Sequence, residues 1–477
     1  FAKAGFKDYY EVLRVIWNQV CANLRNWGDT ESIVSGSLRV MVDVTGGFET
    51  SKLLLSLNEV QFVLLHHTEN EFPFLSNPAL SHYCTLYFEA LTALTLLEDI
   101  PGCLEVLSRP VTERLQRLAT VQQFTDADFG EIITVFREAR GIVSECSTKR
   151  QFEVFFDLLF PSAFNVMRQA LHQRPNDTEV VSAVLKFLNS LTLNKESRID
   201  YCNDRGMGVT LFRETSKVLL EYGNILLASF PSFVNCSDAV YKGICQLFHV
   251  MERFLKGHYV PFGVFSLYND SCLNDVLSLF LQLVIRTPFN QLNQLPKYET
   301  AVFGFLELLF ADHLRTVSAV ETSAFISIME SVCSGVTSFN NEVVRSCARI
   351  LDDVATYLYL NQYKSTETVE NIKRIVQAQP NFWDVVMRSL LNAFIFGSSS
   401  TIWDLSRPIF TVYLVKRESL DAYLNSAVAN QTQATVMQLM EDTKVLTDNV
   451  DYALGPTARD DFSKKAAVWR RKFLSYM

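Results

Sequence analysis

The densest group of side chains able to ligate or catalyse is His66-His67, with His82 farther along the chain. Two imidazoles supply two ligands, whereas a stable metal centre needs a third donor and outer partners that orient the rings. No third group stands at ligand spacing, so His66-His67 reads as a helix-end or surface pair, favoured there by the negative pole of a helix. The ten cysteines (Cys21, Cys84, Cys103, Cys146, Cys202, Cys236, Cys245, Cys272, Cys333 and Cys347) are scattered, and no two have C-x-x-C spacing. They read as small buried hydrophobes of a protein in a reducing compartment, not as zinc ligands or disulfides.

The acidic pairs Glu98-Asp99 and Asp352-Asp353 have the chemistry of a general acid and base. Adjacent helical residues point about 100° apart and do not converge on one substrate atom, so these pairs read as solvated or capping carboxylates. No phosphate-binding loop, nucleophile elbow, H-E-x-x-H or dinucleotide fingerprint occurs. The expectation is therefore a chain without catalytic residues, metal or cofactor: not an enzyme. Lys464-Lys465 and Arg470-Arg471-Lys472 could form a nuclear address or a nucleic-acid patch. Phe462, Val468, Trp469 and Phe473 interleave with them, and this pattern favours an amphipathic last helix with solvated cations.

The elements that would position these groups all have helical period. Tyr9, Leu13, Ile16, Val20 and Leu24 form one stripe; Val34, Leu38 and Met41 continue to a stop at Gly46-Gly47. Asn58-Glu59-Val60-Gln61 has capping-box spacing, and Asn77-Pro78 places a cap before a first-turn proline. Further stripes are Tyr87, Ala90 and Leu94; Ile132, Val135, Ala139 and Val143 after Asp126 or Asp128; and Val181, Val184, Leu188 and Leu191 after Asp177. Residues 194–207 read as a polar, accessible loop. Phe325, Met329 and Val332, then Val343, Cys347, Ile350 and Val354, repeat the design, and no run alternates with period two.

Breaks recur every ~15 to 25 residues, so a helix pair fits the 40 to 47 residues of a HEAT or armadillo repeat. A compact bundle is the competing reading, but bundles of this length split, whereas a stack adds core repeat by repeat. The expected fold is all-α, a HEAT-repeat α-solenoid of antiparallel helix pairs, continuous over 1–477 with no separate second domain. Hydrophobic residues make up 48% of the 477-residue chain, charged residues 20%, and the net charge is −9. That balance argues against direct nucleic-acid binding and makes basic proteins the better electrostatic partners. The longest apolar runs, 276–285 and 302–310, fall short of a membrane span, so no membrane insertion is expected.

One stretch, Lys256-Gly257-His258-Tyr259-Val260-Pro261-Phe262-Gly263-Val264-Phe265-Ser266-Leu267-Tyr268-Asn269-Asp270, is an aromatic connector between two helical segments, stopped by Gly257 and restarted by Asp270. Phe262, Phe265, Leu267 and Tyr268 are expected to be buried, because four exposed apolar side chains invite aggregation. This stretch resembles the exportin-7 family of nuclear export receptors in the importin-β (karyopherin) superfamily. So do Val60-Gln61-Phe62, His67-Thr68, Arg140-Gly141-Ile142, Gly208 with Leu211-Phe212-Arg213-Glu214, Leu351-Asp352 and Ser406-Arg407-Pro408.

The resemblance implies a HEAT-repeat receptor that binds Ran GTPase in its GTP form together with folded cargo bearing basic surfaces. It also implies contact with Phe-Gly nucleoporins and shuttling between nucleus and cytoplasm. The match is to the carboxyl-terminal part of such receptors, and the start at Phe1 reads as the beginning of a fragment. Ser266 stands where the family pattern has a basic residue. The residues that contact Ran or cargo are left unassigned. The competing class is a non-transport helical scaffold.

Overall fold

The structure is a computed structural model that describes residues 6–98, 101–201, 206–427, 432–448, 452 and 454–476. Every regular element among them is a helix, and none is a strand. The HEAT-type solenoid architecture follows from how the helices pair. The chain divides into two compact units, 1–230 with 237–276, and 231–236 with 277–477.

In the first unit the second helices of successive pairs stack on one another in order: Glu31–Thr45, Cys84–Leu96, Asp126–Glu145, Thr178–Thr192 and Asp238–Gly257. A parallel row runs through Tyr9–Asn26, Asn58–Leu65, Cys103–Leu118, Ser162–Gln173 and Met207–Ser229. Each helix thus meets its own partner and its neighbours in the row, which is why the apolar stripes are wider than one seam. The second unit has the same two-row order. Pro296–Asp312, Asn341–Leu360, Ile402–Val415 and Pro456–Tyr476 form one row, and Thr322–Gly335, Phe382–Phe396 and Glu418–Ala427 the other.

Later helices of the first unit's second row begin at 84, 126, 178 and 238. Only the first of these spacings is as short as the expected repeat; an added helix, Lys149–Leu159, and the loops before Met207 and Asp238 lengthen the rest.

Local sequence explains most boundaries. Asp177 accepts from the backbone N–H groups of Glu179 and Val180, and Thr125 forms a reciprocal capping box with Asp128. The box expected at Asn58-Gln61 does not form. Leu57 occupies the cap position, and Gln61 donates instead to the Leu55 carbonyl at 2.8 Å, tying that helix to the one before it.

Most predicted stripe residues are core: Val34, Leu38, Met41, Ile132, Val135, Ala139, Val143, Val184 and Leu188 are all fully buried, whereas Tyr9 of the first stripe is exposed and Ile16 half-buried. The loop read as polar and accessible is so only in part: Glu196, Ser197, Asp200 and Tyr201 are exposed and 202–205 lie outside the described residues, but Arg198 and Ile199 are buried. Arg198 is 2% exposed and donates through Nη1 to the carbonyls of Val143 and Cys146, at 2.6 Å each, and through Nη2 to that of Ser190 at 2.8 Å. Its guanidinium lies 4.6 Å from the Phe152 ring. The loop folds back because a helix ending at Glu145 leaves carbonyls that need donors, and a planar five-donor fork supplies them.

Candidate interaction surfaces

Two of the strings that carry the resemblance, Gly208 with Leu211-Phe212-Arg213-Glu214 and the connector 256–270, meet in space. Phe212, on Met207–Ser229, is ringed edge-on by Phe254, Phe262 and Phe265 with centroids 5.0, 5.3 and 5.2 Å away. Arg213 donates to Asp270 at 2.6 Å, and Asp270 in turn caps the next helix by accepting from the N–H of Cys272 at 2.9 Å. The Cys272 cap and the Arg213 guanidinium hold the Asp270 carboxyl below the usual range. Gly208 permits the contact: a Cβ there would stand 2.4 Å from the Tyr259 carbonyl oxygen. Tyr259 is itself buried and donates to the Thr192 carbonyl at 2.7 Å.

The expectation of four buried apolar residues holds for only part of the connector. Phe265 is 1% exposed and Phe262 half-buried, but Leu267 and Tyr268 are each 75% exposed. The segment coils into one helical turn, Gly263–Leu267. Phe262, at the start of the turn, and Phe265 within it pack on Phe212, whereas Leu267 ends the turn and Tyr268 caps it with non-helical backbone, so both lie outside that contact. The junction is structural, and its exposed rim presents two apolar side chains.

Other sequence candidates resolve into supports. His66 is exposed at a helix end, but His67 is buried, with Nδ1 3.0 Å from the Leu64 carbonyl and Nε2 3.1 Å from that of Leu107. It is therefore not a surface residue, and burial pushes its pKa down. Asp352 accepts from Thr411 and, at 2.5 Å, from Arg459, joining three helices of one row. Burial, with Asp352 and Glu307 nearby, pushes Asp353 up to about 7. Asp99 and Cys202 lie outside the described residues; the other nine cysteines are free. No group of three or more His, Cys, Asp or Glu among the described residues is placed to hold a metal ion.

The terminal cations are only in part a solvated face. Arg470 donates to the carbonyls of Phe394, Ile395 and Gly397 at 2.6 to 3.2 Å, closing the end of Phe382–Phe396. Lys472 pairs with Asp442 at 2.6 Å, and Arg471 remains exposed. No helix among the described residues is long and apolar enough to cross a membrane.

Sequence reading missed a groove of about 640 Å³ in the first unit, lined by Leu55, Leu64, Leu65, Leu94, Val106 and Leu107, with Lys52 and Glu98 at its margin. Leu65 is 67% exposed. The groove is lined by four successive α-helices, Phe48–Leu55, Asn58–Leu65, Cys84–Leu96 and Cys103–Leu118, and no single helical period marks it. Its volume and apolar lining suit an inserted side chain with adjoining backbone.

The chain matches the family model described as "Exportin-7-like, TPR domain" over residues 1–82. It is 28% identical over 496 aligned residues to Exportin-7-B of Xenopus laevis, and 27% over 494 to Ran-binding protein 17 of Homo sapiens. Each alignment covers 98% of this chain and 45% of the relative. Exportin-7 of Dictyostelium discoideum is 23% identical over 481 residues. The chain thus resembles exportin-7 along nearly its whole length and spans about half the length of the relatives it matches. Among solved structures, importin-13 in its cytosolic state aligns with 96% of this chain and 50% of its own, at a TM-score of 0.46 and 10% identity.

Proposed function

We propose that this chain is the carboxyl-terminal part of a nuclear export receptor that binds Ran in its GTP form together with folded cargo and shuttles between nucleus and cytoplasm. The observation that carries this reading is the likeness to exportin-7 and to a Ran-binding protein over 98% of the chain. The net charge of −9 suits cargo with basic surfaces.

In this reading the apolar groove takes the phenylalanine of Phe-Gly nucleoporin repeats. Leu55, Leu64 and Leu107 supply the walls, and Leu65 and Val106 the exposed lip. Weak contacts of this kind permit passage because each is made and lost independently, while many in parallel hold the receptor in the pore.

The test is retention of the full-length parent on Ran locked in its GTP or GDP form, with and without cargo. Preference for the GTP form, strengthened by cargo, is expected; equal retention of both forms would favour a non-transport scaffold. For the groove, Leu65→Glu should abolish binding of a Phe-Gly peptide measured by fluorescence anisotropy. A Ser-Gly peptide bound equally well by the unaltered chain would refute the assignment.

A further inference from the structure

An acidic chain should neutralise its cations, and most lysines and arginines here do have a carboxylate or carbonyl partner. The second row of the first unit departs from this. Arg140 on Asp126–Glu145, Lys186 on Thr178–Thr192 and Lys242 on Asp238–Gly257 stand on three successive, mutually packed helices. Among the described residues none of the three makes an ion pair.

Between the first two of these helices and the start of Cys84–Leu96 lies a cavity of about 80 Å³ bordered by His82, Thr85, Arg137, Arg140, Ser182 and Lys186. The carboxylates in reach are already engaged or remote. Glu179 pairs with Arg137, Glu31 lies 3.8 Å from His82, and Glu89 feels Arg140 without an ion pair. Arg137 is held on one side by Glu179 and on the other by the Ser81 hydroxyl, so it forms a fixed cationic wall. Thr85 is turned inward to the Arg137 carbonyl at 3.0 Å, leaving the basic groups and Ser182 to face an occupant.

We propose that this row of unpaired cations, with the cavity at its Arg140–Lys186 end, docks an extended Asp/Glu-rich segment of a partner protein, one carboxylate entering between Arg140 and Lys186. Room for several waters is enough for a carboxylate and too little for a nucleotide. Helices pack ~8–10 Å apart, so three in succession carry their cations over roughly 16–20 Å. An extended chain covers that span in about six residues, at ~3.3 Å each. Three unpaired cations beside Glu89 and Glu179 are too few to neutralise a nucleic-acid backbone, which sets the acidic peptide ahead of RNA or DNA. Supporting this, the Lys186 ammonium is pushed below its ordinary pKa, first by burial and then by Arg140, Arg137 and Lys242, with Glu179 opposing. A neighbourhood of uncompensated positive charge is what an anionic ligand relieves. The inference does not depend on the export reading.

The experiment is an anisotropy titration of the whole chain with a fluorescein-labelled glutamate–serine dodecapeptide, alongside a lysine–serine dodecapeptide and an oligothymidylate of equal length. The acidic peptide should bind, and weaken as salt rises, because Lys186 and Lys242 are exposed and Arg140 only half-buried. Arg140→Glu with Lys186→Glu should raise Kd by about tenfold or more. Lys364→Glu with Arg471→Glu, which changes net charge equally in the second unit, should leave Kd within about twofold. The milder pair Lys186→Gln with Lys242→Gln should fall between, and melting curves verify that each variant is folded. Equal weakening by both charge-reversal pairs would reduce the effect to diffuse electrostatics and overturn the site. Absence of acidic-peptide binding, or tighter binding of the oligothymidylate, would overturn it as well.

Discussion

The aromatic junction makes the sharpest demand on the structure, because residues three positions apart are assigned opposite roles. Phe265→Ala removes a side chain that is 1% exposed and one of three rings packed on Phe212. Large-to-small changes of buried phenylalanine cost about 3–5 kcal/mol, and edge-on ring pairs contribute ~0.5–1.5 kcal/mol of that beyond simple area. Leu267→Ala and Tyr268→Ala remove side chains that are 75% exposed, so each should change stability by no more than about 0.5 kcal/mol. A chain of two compact units is poorly described by one unfolding transition, so the assay is local: hydrogen exchange of the Met207–Ser229 amides followed by mass spectrometry. Faster exchange of that helix in Phe265→Ala, and unchanged exchange in the other two, is the expected result. If Tyr268→Ala loosened the helix as much as Phe265→Ala, the packing argument for the connector would fail.

Arg198→Leu should destabilise the first unit by roughly 3–5 kcal/mol, since it leaves the carbonyls of Val143, Cys146 and Ser190 buried without their donor; hydrogen exchange of the Asp126–Glu145 and Thr178–Thr192 amides measures it, and unchanged exchange would refute the capping role. Asp353 has its folded pKa raised to about 7, so the folded state holds a proton that the unfolded chain releases at ~4. Its contribution is then unpenalised below ~4, and stability declines as pH rises from ~4 through 7. Asp353→Asn should be close to neutral below pH ~4 and increasingly stabilising from there to pH 8, read from hydrogen exchange of the Asn341–Leu360 amides; a stabilisation independent of pH would contradict this assignment.

Much of the architecture was legible in the sequence because helix formation is written locally. The stripe Val34-Leu38-Met41, the caps at Asp177 and Asp270, and the stop at Gly257 each need only neighbouring residues, and each stands where spacing placed it. The likeness to exportin-7 was also readable, although its strings mark packing junctions: Gly208 beneath Tyr259, Phe212 among three rings, Asp352 under Arg459.

What only the tertiary structure decided is which polar groups face inward and which apolar groups face out. Arg198 and His67 have polar sequence neighbours, yet both are buried: Arg198 supplies donors to carbonyls at the ends of two other helices, and the His67 ring bridges the carbonyls of Leu64 and Leu107. Leu267 and Tyr268 read as core until the connector turned them outward. The apolar groove and the unpaired cations Arg140, Lys186 and Lys242 are assembled from separate repeats, since sequence period specifies the face a residue occupies on its own helix but not the charge or shape that the next repeat sets beside it.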